Sequence, residues 1–148
     1  MMFADLLNRL LAPAPAALPA AEADLSLASL LVRLARADDH YGDDERVRID
    51  RVLSARKGLT MPEAAALRAE AEILESEAPD TVRFTRSLKD AVPYEDRTEL
   101  LEAMWDVALA DGSRDAVEDA LIRMVANLLG VSDRDSALAR QRIEAKRL

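Results

Sequence analysis

Ala35-Arg36-Ala37-Asp38-Asp39-His40-Tyr41-Gly42-Asp43-Asp44-Glu45 has a counterpart seventy-three residues further on, Ala108-Leu109-Ala110-Asp111-Gly112-Ser113-Arg114-Asp115-Ala116-Val117-Glu118. Each stretch reads as the end of a helix, an Asp, a short polar turn and a Glu at the start of the next helix. Asp38 and Glu45 in the first correspond to Asp111 and Glu118 in the second, and at the same offset Ile49 answers to Ile122 and Val52 to Val125. Two helix junctions of one design predict an all-α protein, a single helical bundle of about seven or eight helices built from two related helical halves.

Outward from the junctions the apolar spacing is helical throughout. Leu27, Leu30, Leu31 and Leu34 predict a helix from about Asp24 to Ala37, and Ile49, Val52 and Leu53 one from about Asp43 to Lys57, stopped by Gly58. Thr60-Met61-Pro62-Glu63 is a capping box with Pro just inside the start, opening a helix that reaches about Ser76. Pro79-Asp80 ends it and caps a segment from about Thr81 to Ala91. Pro93 opens the helix carrying Leu100, Leu101, Met104, Val107 and Ala108. Val117, Leu121, Ile122, Val125 and Leu128 line the next, ended by Gly130, and Ser132 caps a last helix through about Lys146. No segment alternates with period two. Residues 1–22 read as a separate tail: Phe3, Leu6, Leu7, Leu10 and Leu11 make a short amphipathic helix, and the prolines and alanines of 12–21 a linker. Residues 23–148 form the domain.

Composition narrows the function. Half of the 148 residues are hydrophobic but only 3% are aromatic, with four Gly, as suits helices rather than sheets. A formal charge of −8 argues against binding a nucleic-acid backbone. The locally basic stretch from Arg134 to Leu148 has no interleaved aromatics and reads as a solvated helix face. Without Cys and with one His, neither disulfides nor thiolate or multi-histidine zinc sites can be assembled. No run approaches the ~20 apolar residues of a membrane span, and the N-terminal apolar run lacks the leading Lys or Arg of a secretory signal. A cytoplasmic location is therefore expected. There is no Gly-rich phosphate loop and no nucleophile elbow, so no enzyme is expected; an acid/base hydrolase using the junction carboxylates is a remote alternative.

The four candidate site residues are Asp38, Glu45, Asp111 and Glu118. Each Asp continues the apolar stripe of the helix before it, and each Glu lies four and seven residues ahead of inward apolar positions, so all four point to the core side. A buried carboxylate needs a partner. One reading is capping: Asp115-Ala116-Val117-Glu118 fits a capping box, and Gly42 to Glu45 has its spacing without a cap side chain. The other is a hard divalent cation, calcium or magnesium before zinc, held by carboxylates, carbonyls and water, with Asp39, Asp43, Asp44 and Asp115 close by. Neither loop has the Asp-x-Asp-x-Asp-Gly order of an EF-hand. No organic cofactor is expected. His40 reads as an exposed loop residue, Trp105 as core, and Arg97 as the partner of a carboxylate in a structural salt bridge.

At these residues the chain resembles the tellurite-resistance TerB-like family, whose relatives also form the N-terminal part of DnaJ-like membrane co-chaperones. The resemblance runs from about Leu27 to Arg140. It rests on Ala37-Asp38 through Glu45, on Trp105-Asp106-Val107-Ala108-Leu109-Ala110-Asp111-Gly112 through Glu118, and on Leu128-Leu129-Gly130-Val131. Arg83-Phe84-Thr85-Arg86 and Arg97 are similar to a stand-alone bacterial branch. The first junction departs from the family in having Asp39 where Gly is usual, and no His-Pro-Asp tripeptide of a J-domain occurs. The resemblance implies a helical domain with an acidic, metal-binding surface, associated with tellurite or stress responses and with membrane-linked complexes. On that basis a protein partner, membrane-associated or a second copy of the chain, is expected, with no nucleic acid and no membrane span.

Overall fold

The computed structural model describes residues 17–37, 39–78, 80–110 and 114–147. Among them are seven α-helices: α1 (Ala17–Arg36), α2 (Asp43–Lys57), α3 (Met61–Glu77), α4 (Val82–Ala91), α5 (Arg97–Ala108), α6 (Ala116–Leu128) and α7 (Asp133–Lys146), with a 3-10 turn at Tyr94–Asp96. No strand occurs among the described residues. The expected all-α bundle is the fold observed. The amphipathic segment expected at residues 3–11 lies outside the described residues.

Local chemistry sets most of the boundaries. Thr60 Oγ1 accepts from Glu63 N at 3.2 Å and Glu63 Oε1 accepts from Thr60 N at 2.9 Å, closing the capping box. Ser132 caps α7 through Asp135 N, and Asp80 accepts from Val82 N at the head of α4. Gly58 and Gly130 take left-handed φ values of 65° and 74° just after α2 and α6, where a side chain would be strained. Two boundaries differ from expectation. The helix α1 begins at Ala17 rather than Asp24, because Pro19 falls in its first turn, where a missing N–H breaks no intrahelical bond. Pro93 opens a 3-10 turn, and the α-helix proper starts at Arg97.

Packing places α1 at the centre. Every residue from Ser26 to Val32 is buried, so the helix is enclosed on all sides rather than along one stripe. It touches α2, α3, α4, α5 and α6, while α7 packs mainly on α5. Leu27, Leu30, Leu31 and Leu34 meet Ile49, Leu53, Phe84, Leu88, Leu101, Met104 and Ile122 in one core. Each such side chain removed from water contributes about 2 kcal/mol. The broadest contact of the first three helices is α1 with α3, and that of the last three is α5 with α7. The expectation that Val117 joins the core is corrected: it is 56% exposed. Its helix buries Ile122, Val125 and Ala126, and Val117, in the first turn, lies off that stripe.

Two arginines hold helix ends inside this frame. From the last turn of α1, Arg33 donates to Glu75 Oε1 at 3.1 Å, to Thr81 Oγ1 at 3.3 Å, and to the carbonyls of Glu75 and Ala78 at 3.3 and 2.8 Å. Its guanidinium thereby closes the C-terminal carbonyls of α3, which no helix could satisfy by itself. Arg97 was expected to pair with a carboxylate; instead it donates to the carbonyls of Val92, Leu129 and Lys89 at 3.1–3.2 Å. It ties the ends of α4 and α6 together at the head of α5.

Candidate functional site: two helix junctions

The first junction joins α1 to α2. Ala37 N and Asp39 N bond back to the carbonyls of Leu34 and Arg36, and Asp39 turns the chain with φ 63°. Asp is among the few residues that tolerate this left-handed conformation through local hydrogen bonding. The departure from Gly at this position therefore leaves a tight turn in place. Gly42 is the N-cap of α2, and Glu45, third in the helix and half-buried, accepts from Gly42 N through Oε2 at 2.9 Å. No described residue donates a hydrogen bond to its Oε1. Asp43, Asp44 and Glu45 crowd the first turn, where the N-terminal end of the helix dipole stabilises negative charge.

The second junction joins α5 to α6. Asp115 Oδ1 accepts from Val117 N at 2.8 Å and Glu118 N at 3.1 Å. Arg114 is held by Asp119 at 2.7 Å. Glu118 is half-buried, as Glu45 is. The helices α2 and α6 begin at residues 43 and 116, which keep the offset read in the sequence. The two are capped by complementary means: the first from the Glu back to the N-cap amide, the second from the N-cap Asp forward. The junctions open onto a common groove of about 540 Å³ whose walls include Asp44 from the first and Ala110 from the second.

Of the four predicted site residues, the described structure thus places Glu45 and Glu118 at matching helix starts. Asp38 and Asp111 lie outside the described residues. Among the described residues no three His, Cys, Asp or Glu side chains converge as a metal centre. His40 is exposed, as expected, and Trp105 is core at 4% exposure.

Sequence reasoning missed the ionic network behind the first junction. Asp50, 6% exposed in α2, receives Arg68 Nε at 2.7 Å, and Arg68 Nη1 also binds Glu72 at 2.7 Å. Arg46 reaches Glu72 at 3.1 Å, and Arg36 binds Glu75 beside Arg33. The guanidinia of Arg36 and Arg46 each stand 4.9 Å from the Tyr41 ring centroid, so the loop residue Tyr41 is clamped between two helices. Its hydroxyl is buried without a well-formed hydrogen bond. Burial first, then the neighbouring Glu72, push its pKa up to about 12. Burial alone would raise Glu72, but the hydrogen bond from Arg46, the Tyr41 hydroxyl and the charges of Arg68 and Arg46 outweigh it and hold the carboxyl below its usual range. The signal available in the sequence was Arg33 between Val32 and Leu34 at the end of the leucine-rich run, a charge that must find partners.

Two basic residues of α7 and the one that follows it are paired, Arg140 with Glu144, Arg142 with Glu102, and Arg147 with Asp106. No helix among the described residues is long and apolar enough to cross a membrane.

These features define a class, an acid-rich all-helical bundle organised around two capped helix junctions. The chain belongs to the tellurite resistance protein TerB family, whose family model matches residues 24–141. No curated protein and no solved structure matches it.

Proposed function

We propose that the chain is a non-catalytic TerB-like binding module whose junction pairs, Asp38 with Glu45 and Asp111 with Glu118, take up a divalent cation and present an acidic face to a protein partner. Calcium or magnesium suits these oxygen donors better than zinc. The observation that carries the reading is the Glu45 carboxylate. One of its oxygens is fixed by Gly42 N, and the other, beside the left-handed turn, receives no donor from a described residue. The capping bond pre-orients a donor that a cation could use at little entropic cost. Family membership supports the module.

A second reading has its own observation. The bonds Gly42–Glu45 and Asp115–Val117/Glu118 are caps complete in themselves, and a helix N-terminus favours the carboxylates without any ion. In that case the protein is an interaction domain with no metal. Calorimetric titration with calcium, magnesium, manganese and zinc separates the two. The cation reading expects heat and a rise in Tm, both lost in Glu45→Gln and Glu118→Gln; at a ligand excess of about a hundred times Kd the stabilisation is about 2.7 kcal/mol. No heat and an unchanged Tm at millimolar metal leave only the caps.

A further inference from the structure

The two halves of the bundle differ where α2 meets α3 and where α6 meets α7. Past Gly58 and Gly130 the correspondence runs one residue shorter. Thr60, Arg68 and Glu72 then answer to Ser132, Arg140 and Glu144, and both helices carry the same internal ion pair, Arg68–Glu72 at 2.7 Å and Arg140–Glu144 at 3.1 Å. In the first half Arg68 also closes the seam by binding the buried Asp50 across it. The residue answering to Asp50 in the second half is Arg123. Arg46, which bridges to Glu72 in the first half, becomes Asp119, which turns to Arg114 instead. The aromatic plug Tyr41 becomes Arg114. The second seam thus has neither the cross-helix carboxylate nor the ring.

The consequence is an open groove of about 480 Å³ over Trp105. Arg114 and Arg140 flank its floor, each guanidinium 5.7 Å from a Trp105 ring centroid. Arg123 lines the same groove and has no ion-pair or hydrogen-bond partner among the described residues. Alanines 116, 120 and 137 line its walls. Arg114 is paired with Asp119 and Arg140 with Glu144, so on a chain of charge −8 the guanidinium of this lining left without an ion-pair partner among the described residues is that of Arg123.

We propose that this groove receives a carboxylate side chain of an acidic peptide segment from a partner protein, seated between Arg123 and Arg140 where Asp50 stands in the first half. The carboxylate supplies the one charge the second seam lacks. The planar guanidinia can each present two N–H donors to it. The site deepens the reading of the chain as an interaction module but not its cation sites, and all titrations are done in EDTA so that the two stand or fall separately.

Trp105 is the only tryptophan and lies in the groove floor, so its fluorescence reports occupancy. The probe is a short Trp-free peptide of alternating Glu and Ala, with its Gln counterpart, inorganic phosphate and a single-stranded oligonucleotide as the other arms. The proposal expects a saturable fluorescence change with the Glu peptide. It should be weakened about tenfold or more by Arg123→Gln, by Arg140→Gln and by the Gln peptide, and be unaffected by the exposed Arg86→Gln. No saturable change, equal binding of the Gln peptide, or equal affinity for phosphate or the oligonucleotide overturns it. A second variant needs no ligand. Arg123→Asp restores the charge pattern of the first seam, so it should raise Tm by about 3 °C and abolish peptide binding. A fall in Tm would show that Arg123 and Arg140 do not face each other as Asp50 and Arg68 do.

Discussion

Tyr41 shows how one loop residue is turned into a structural part by its neighbours. In sequence it is an aromatic in a polar turn. In the fold its ring is held between Arg36 and Arg46, with Glu72 behind. A tyrosine whose folded pKa is raised stays protonated while the unfolded chain ionises. Its contribution is therefore complete below about pH 10 and is lost as pH rises through about 12. Urea denaturation across that range should show stability falling with pH, and Tyr41→Phe should flatten the fall. An identical slope in the variant would remove Tyr41 from the account. The opposite sign applies to Glu72: with its pKa lowered, its contribution is present above the usual carboxylate range and is lost on acidification through the folded value. Arg33 is the stronger case for stability. With its four hydrogen bonds spread over one carboxylate, one hydroxyl and two carbonyls, Arg33→Ala should cost about 3 kcal/mol, since it strands the partners as well as losing the bonds. A loss below about 1 kcal/mol by denaturant melting would mean that water replaces it.

At the scale of elements, the caps carry the information that the sequence displays most openly. Thr60 with Glu63, Ser132 before α7, and the glycines after α2 and α6 were legible because a helix end is solved by residues within three or four positions of it. Gly58 isolates the backbone part of that economy. An added Cβ there would meet nothing within 4 Å, yet φ is 65°. Gly58→Ala should therefore destabilise by about 1 kcal/mol through backbone strain alone, without altering the structure around it. A neutral outcome in thermal melts would mean that the end of α2 relaxes at no cost. The elements that were misread share a cause. The early start of α1 and the 3-10 turn at Tyr94–Asp96 both involve Pro, which limits backbone choices without fixing which of the permitted ones is used. Val117 was misplaced because its spacing to Leu121 and Val125 is helical, while the face that the other helices cover runs through Ile122, Val125 and Ala126.

For the whole molecule, α1 is the shared member: it packs against helices of both junctions, and its middle is enclosed. The bundle should accordingly unfold as one unit. Far-UV circular dichroism, which senses all helices, and Trp105 fluorescence, which senses the α5–α7 side, should give one coincident transition. Separate midpoints would divide the bundle into two units. What the sequence determined alone is the all-α class, nearly all the helix boundaries, the leucine face of α1 and the recurring junction with its Glu at matching positions. These follow from periodicity and capping, which act over a few residues. What only the tertiary structure decided is which charges meet. Arg33 finds Glu75 and Thr81, Arg68 finds Asp50, and Arg97 finds three carbonyls rather than a carboxylate, all through helix packing that no local rule specifies. The contrast between the closed first seam and the open second one belongs to the same level. A single exchange of Asp50 for Arg123 at corresponding positions is silent in a helical pattern, and its effect arises only when a second helix brings an arginine to the other side.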